Sequence, residues 1–436
     1  MTNGDCGSRT RRGSLRRPNG TGRGSMRSTI WLRAASGLLC ALAWAAPAFA
    51  DSGAPAANER WIGAWSASPS SPGPSFEKQS LRQIVRASIG GSQVRLRFSN
   101  LYGEGPVTIG PVRVAKHAQA SAVEPGSARA VTFGGKASIA VGKGESILSD
   151  PVAMSVSAFE RLAVSLYVPV RSGASTVHDL AIQTAYIAPG DATAADVFPA
   201  GETDTSRFFL TDVEVATEPG ARAVVAVGDS ITDGVGSTLD ANRRWPDALA
   251  ARLRADPKFA SIAVLNAGIA GNRILNDAAA PYLGPKILSR FDRDALDKPG
   301  VRWVVLLSGS NDISAAERLK TPEANVSAEQ IIEGMQTLIA RAHAKGVKIV
   351  GATLVPKGSP DEPLTPTAKA KRQALNDWIR NGGAFDAVVD FESALRDPAH
   401  PEYMLPAYDS GDHVHPNDAG YKTMAAAFDL NLFAAE

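Results

Sequence analysis

Ser230 follows the apolar run Val224 to Val227, and Asp412 and His415 stand near the far end of the same 436-residue chain. A serine hydroxyl is a weak nucleophile until a base takes its proton, and a histidine oriented by a carboxylate is the usual device. Asp412 and His415 lie three apart, just before a helix expected from about Asn417, so one short loop can carry both side chains into one pocket. His413 is the competing base. Acyl transfer also needs donors aimed at the developing oxyanion, and losing one typically costs about 100- to 1,000-fold in turnover. The candidates are the Ser230 N–H, the Gly271 N–H, approachable because glycine has no side chain, and the side-chain amide of Asn311. Arg273 either meets a polar substrate group or pairs with an acid.

These groups need a scaffold that brings four separated segments to one edge. Val224 to Val227 is β-branched and uncharged, the pattern of a strand buried on both faces. In open parallel sheets, ligand-binding loops gather at the carboxyl ends of strands, and Gly228-Asp229-Ser230, Asn266 to Asn272 and Gly309 to Asp312 all fall where a strand should end. From Ala223 onward strands are expected at Ile262 to Leu265, Val301 to Leu307, Val347 to Val355 and Ala387 to Phe391. Helices are expected at Arg244 to Arg254, from Ser327 to Lys345, at Thr367 to Arg380 and at Asp418 to Phe433. This alternation implies an α/β, doubly wound parallel sheet. Each motif also has a plain alternative: Gly-Asp-Ser is an ordinary turn, residues 266 to 272 an ordinary loop, and Asn311-Asp312 a cap. A metal set of His413, His415 and Asp409 is disfavoured. The chain has no HExxH, and His343 and His400 fall in an expected helix and between prolines.

Taken in order, the four blocks resemble the SGNH hydrolases, also called GDSL esterases. They are Gly228-Asp229-Ser230; Asn266 to Gly271; Gly309, Asn311 and Asp312; and Asp412, His415 and Pro416. The resemblance spans roughly residues 220 to 434, with Ile231 and Thr232 replacing the leucine of the family's older motif name. It implies a flavodoxin-like fold, a Ser230, His415 and Asp412 triad, an oxyanion hole of Ser230, Gly271 and Asn311, and neither metal nor organic cofactor. It also implies hydrolysis of short-chain carboxylic esters, with O-acetyl or aryl esters of carbohydrate-type substrates as the expected class. A lipase or lysophospholipase would use the same residues on longer acyl chains, and an inactive carbohydrate-binding module is the non-enzymatic alternative. No G-x-S-x-G occurs at Ser230, which disfavours the α/β-hydrolase elbow.

The length allows two domains, and 44% hydrophobic residues give ample material for cores. Trp61 to about Val215 reads as all β. Leu81 to Asn100 gives two strands either side of Gly90-Gly91, the second alternating Val94, Leu96 and Phe98 with Arg95 and Arg97; Val107 to Ala115, Ala137 to Val141 and Leu162 to Val168 follow. A β-sandwich or jelly-roll-like domain over 61–217 is therefore expected before a catalytic domain over 218–436. Trp61 and Trp65 are either sugar-stacking platforms or packing residues, with packing favoured.

Residues 1–50 read as an N-terminal extension plus signal peptide. A start at Met26 is expected, then the basic stretch MRSTIWLR, an apolar run from Ala34 to Ala46, and cleavage after Ala50, with 51–60 as a linker. The apolar run is short for a membrane span, and Leu39 before Cys40 argues against a lipid anchor. The protein is thus expected to be secreted or periplasmic. Eight arginines and one aspartate lie in the first fifty residues, so the remainder is net acidic by five charges, which points away from nucleic acid and from an anionic membrane surface. Both cysteines, Cys6 and Cys40, also lie there, which leaves no thiol for catalysis or metal binding afterwards.

Overall fold

The alternating and uninterrupted apolar runs become two kinds of sheet in the computed structural model, which describes residues 58–434 apart from 200 and 279. The expected signal segment and most of the linker lie outside the described residues. The amino-terminal half holds β1 (Arg60–Ser66), β2 (Gln79–Arg86), β3 (Gly91–Ser99), β4 (Val112–Lys116), β5 (Val152–Val156), β6 (Arg161–Val168), β7 (Ala185–Pro189) and β8 (Leu210–Thr217). One antiparallel sheet runs β1-β8-β3-β5. A second runs β7-β2-β6-β4, extended by Glu202–Asp204 and Arg129–Val131 at its edges. The alternation in β3 is realised, with Val94, Leu96 and Phe98 fully buried and Arg95 and Arg97 half-buried. Leu81, Val85, Leu162, Val164 and Leu166 of the second sheet share that core, while Ile84, Ala115 and Ala163 form a small cluster on its other face.

Gly90-Gly91 does not close a hairpin. β2 pairs with β6 and β7, whereas β3 pairs with β5 and β8, so the chain crosses from one sheet to the other at these glycines. Both sheets need an apolar face on the common core, and a strand in each places one there. Trp65 packs half-buried against this core, and Trp61 lies beneath the Arg95 guanidinium, 4.3 Å from its ring centre.

The carboxy-terminal half carries β9 (Arg222–Gly228), β10 (Ile262–Gly268), β11 (Val301–Leu307), β12 (Lys348–Ala352) and β13 (Ala387–Val389). All are parallel, in the order β10-β9-β11-β12-β13. The first strand in sequence therefore lies inside the sheet, with connections leaving to opposite sides, and the crevice at its carboxyl end is the switch point where ligands bind in such sheets. Ala223 to Val227 are buried throughout, as a strand covered on both faces requires.

Among the helices are α1 (Ser230–Asp233), α2 (Trp245–Ala255), α3 (Ser310–Leu319), α4 (Ala328–Ala344), α5 (Pro366–Asn381) and α6 (Asp418–Ala426). Ser327 caps α4 reciprocally with Gln330, and Thr365 and Asn417 cap α5 and α6 by accepting backbone N–H bonds. Among the differences from the sequence reading, three bear on the carboxy-terminal half. α3 was not anticipated. The strand from Ala387 stops at Val389 because Asp390 caps a short helix, Phe391–Leu395. The closing helix ends at Ala426, and the chain turns so that Phe428 stacks on Trp245 and Phe433 meets Trp303 edge-on.

The described residues belong to one compact unit, whose main apolar core runs through both halves. β1 lies against β10, where Ser66 Oγ donates to the Asn266 carbonyl (2.9 Å); beside this contact Val264 N–H donates to Ser88 Oγ (3.1 Å) and Gly63 N–H to the Pro299 carbonyl (3.1 Å).

Candidate active site

The end of β9 is built for a sharp exit. A side chain at Gly228 would stand 2.4 Å from the Leu307 carbonyl of β11, so only glycine lets the strand finish this close to its neighbour. Asp229 then caps α1, its Oδ1 accepting from Ile231 N–H at 3.1 Å, and Ser230 opens that helix. Burial pushes the Asp229 carboxyl up to about 6 against the hydrogen bond from Ile231.

Ser230 Oγ lies 2.8 Å from His415 Nε2, and His415 Nδ1 lies 2.6 Å from Asp412 Oδ2. With Nδ1–H donated to the carboxylate, Nε2 is left to accept the serine proton. The other Asp412 oxygen accepts from the N–H groups of Val414 (2.9 Å) and His415 (2.8 Å). Burial acts to raise the Asp412 carboxyl, but the side-chain and backbone bonds from His415 and the bond from Val414 outweigh it and hold the group down at about 2. His413 is 46% exposed on its side chain and turned instead to Asp409, with Nδ1 2.7 Å from Oδ2. Among the described residues no group of three His, Cys, Asp or Glu side chains is arranged to hold a metal.

Gly271 sits in a left-handed turn, φ +72°, and a side chain there would meet Leu283 at 2.5 Å. Side-chain hydrogen bonds of three residues, Asp233, Asn272 and Asp312, fix its loop. Ala270 N–H donates to Asp233 Oδ2 (3.0 Å), Asn272 Nδ2 donates to the Leu283 and Pro285 carbonyls (3.0 and 2.9 Å), and Asp312 of α3 accepts from Ile274 and Leu275 N–H groups at 2.9 to 3.1 Å. Asn311, also on α3, accepts from Arg318 Nη2 at its Oδ1 (3.3 Å), which leaves its NH2 free to donate. Among the described residues, no protein acceptor takes the N–H of Ser230, the N–H of Gly271 or the Asn311 amide protons. All three residues line one cleft of about 400 Å³ with His415. Three unspent donors beside an aligned serine, histidine and aspartate suit an oxygen that gains negative charge during attack.

Arg273 lies outside the lining of this cleft. It is 6% exposed and its guanidinium donates to the Asp277 carbonyl. Four residues of the site were not singled out from sequence. Leu180, 41% exposed at φ +51°, comes from the antiparallel half into the cleft wall. His178, two residues earlier, places Nε2 3.1 Å from Asp233 Oδ1 and Nδ1 2.8 Å from the Ser68 carbonyl. Arg318 and Lys357 also line the cleft. Only Lys357 carried a positional signal, as a lone cation just past the apolar run of a strand. A single histidine or leucine in a β-rich stretch carries none.

Residues 226–423 match the family model of the GDSL-like lipase/acylhydrolase family. An acetylxylan esterase of Xylanibacter ruminicola is 28% identical over 231 residues, which are 50% of this chain and 44% of that protein. The match thus spans less than half the length of that relative. Among solved structures, an acetylxylan esterase from Geobacillus stearothermophilus aligns at 23% identity and a TM-score of 0.37, covering 50% of this chain and 96% of the other. A GDSL-like lipase from Bacteroides thetaiotaomicron aligns at 20% identity and a TM-score of 0.34, over 49% and 88% of the two chains.

Proposed function

We propose that the protein, whose residues 226–423 match the GDSL-like lipase/acylhydrolase family model, is a secreted serine esterase that hydrolyses short-chain carboxylic esters, O-acetyl or aryl esters of carbohydrate-type substrates foremost. The observation that carries this reading is the unbroken relay from Ser230 Oγ through His415 to Asp412 beside three unspent donors. In the proposed reaction His415 takes the Ser230 proton as Oγ attacks the acyl carbon. The carbonyl oxygen collects negative charge between the Ser230 and Gly271 N–H groups and the Asn311 amide. His415 then gives the proton to the leaving alkoxide oxygen. A water molecule attacks the acyl-enzyme by the same route, losing a proton to His415, and the freed Ser230 oxygen regains it. No step calls on a metal or cofactor. Short acyl groups are favoured by the modest cleft, whose apolar lining includes Ile231, Val235 and Val414. The acetylxylan esterase relative agrees with an acetyl ester on carbohydrate.

The test is turnover of nitrophenyl acetate, butyrate and decanoate, with acetate release from acetylated xylan measured beside them. Ser230→Ala and His415→Ala should each lower kcat at least about 1,000-fold with unchanged circular dichroism. His413→Ala should stay within about threefold of wild type. A fluorophosphonate should label the wild type and not Ser230→Ala. Turnover that survives Ser230→Ala ends the esterase assignment, and a decanoate preference moves it to a lipase.

A further inference from the structure

Resting on the esterase reading of the cleft, we propose that the site selects esters carrying a carboxylate, which Lys357 and Arg318 bind beside the reacting carbonyl. Both cations line the same cleft as Ser230 and His415. Lys357 follows β12, at the carboxyl edge of the parallel sheet, and its Nζ donates to Ser314 Oγ of α3 at 2.9 Å. Ser314 lies four residues before Arg318 on that helix, so the two share one helical face and the charges meet from two elements. Arg318 donates to Asn311 Oδ1 and is otherwise exposed.

Neither cation has a carboxylate partner within 4.0 Å among the described residues. The acids whose charges act on Lys357 are committed elsewhere. Asp412 holds His415, Asp229 is buried as the cap of α1, and Glu317 accepts from the Thr365 hydroxyl. Burial, assisted by the neighbouring Arg318 charge, lowers the Lys357 ammonium from its ordinary value, whereas an anion seated beside it would favour the charged form. Two half-matched positive charges in an open cleft thus lack a counter-ion that the protein itself does not supply, and a substrate carboxylate has the right charge and hydrogen-bonding capacity for both. The carboxylate can sit on the alcohol or the acyl portion of the ester, and two probe pairs separate these sources.

The first pair is 4-acetoxybenzoate against its neutral methyl ester, and the second is 4-nitrophenyl hydrogen adipate against 4-nitrophenyl methyl adipate. For each, the ratio of kcat/KM between the charged and the neutral ester is measured in wild type, Lys357→Met and Lys357→Arg, so that intrinsic reactivity cancels between proteins. In at least one pair the ratio should fall about tenfold in Lys357→Met, mainly through KM, recover in Lys357→Arg, and shrink in wild type as salt is raised. The pair that responds identifies the portion bearing the charge. Equal losses for charged and neutral esters would assign Lys357 to general support of the site and overturn the inference. Independently of turnover, calorimetry should detect 4-hydroxybenzoate or adipate binding to Ser230→Ala, weakened about tenfold by added Lys357→Met. Absence of both the ratio change and the binding difference also overturns it, whereas loss of all Ser230-dependent turnover with that binding retained overturns only the esterase reading.

Discussion

Asp312 accepts the Ile274 and Leu275 N–H groups from a position that is 2% exposed, and burial outweighs those bonds to push its carboxyl up to about 6. An acid raised in this way favours folding most when protonated. Its contribution is complete below about pH 4 and is lost as pH rises through about 6. At about 1.4 kcal/mol per pKa unit, the displacement from 3.8 amounts to on the order of 3 kcal/mol. Asp412 has the opposite sign, because its bonded carboxylate supports the fold above about pH 4 and that support is lost only as pH falls toward 2. The melting temperature should therefore decline between pH 4.5 and 7.5, and the decline should be flatter in Asp312→Asn, which cannot ionise. Equal slopes in the two proteins would mean that Asp312 ionises as readily in the folded chain as in the unfolded one.

At the scale of elements, the loop carrying Gly271 depends on a contact that begins in the other half of the chain. The strand Ser175–His178 ends at His178, whose ring joins the Ser68 carbonyl to Asp233, and Asp233 in turn holds Ala270 N–H. In the proposed mechanism His178 is a positioning residue, acting through Asp233 on the loop that carries the Gly271 donor. His178→Ala should lower kcat for nitrophenyl acetate about tenfold with KM nearly unchanged, and His178→Gln should recover part of it. A drop in melting temperature without the kcat loss would reduce His178 to a packing role. Much of this architecture was legible beforehand. The uncharged β-branched run of β9 announced a central strand, and capping residues Ser327 and Asn417 marked helix starts. The motifs placed Ser230, Gly271 and Asn311 at strand ends and His415 in a short loop before the last helix, and in the structure all four line one cleft. What escaped the sequence were consequences of packing: α3 hides behind a block that also reads as a turn, and the separation of β2 from β3 depends on which sheet each edge meets. His178, Leu180 and Lys357 gain their positions only when distant elements dock.

For the whole molecule, these contacts make the two halves one folding problem. Ile62 and Ala64 of β1 are buried in the core shared with Val264 and Leu265 of β10, and a side chain at Gly63 would stand 2.7 Å from Leu265. Lys298 reaches back to Asp212, and Asp240 accepts from Gln183 and Thr184. A fragment of residues 218–434 would expose this apolar surface, and we expect it to be insoluble or to bind a hydrophobic dye, without esterase activity. Co-expression with residues 58–217 should restore both solubility and turnover; a soluble, active 218–434 fragment would show that the halves are autonomous. The pairing of β1 with β8 aligns Arg60 with Thr217, only a few residues before β9 begins. During synthesis the first described strand must therefore wait for the last antiparallel one before its ladder can close. The ribosome will by then have finished the amino-terminal half but not yet released His415, which follows Ser230, the proposed nucleophile, by 185 residues. A growing or prematurely ended chain thus carries Ser230 without His415, and under the proposed mechanism hydrolytic competence arrives only when the segment around His415 has been made.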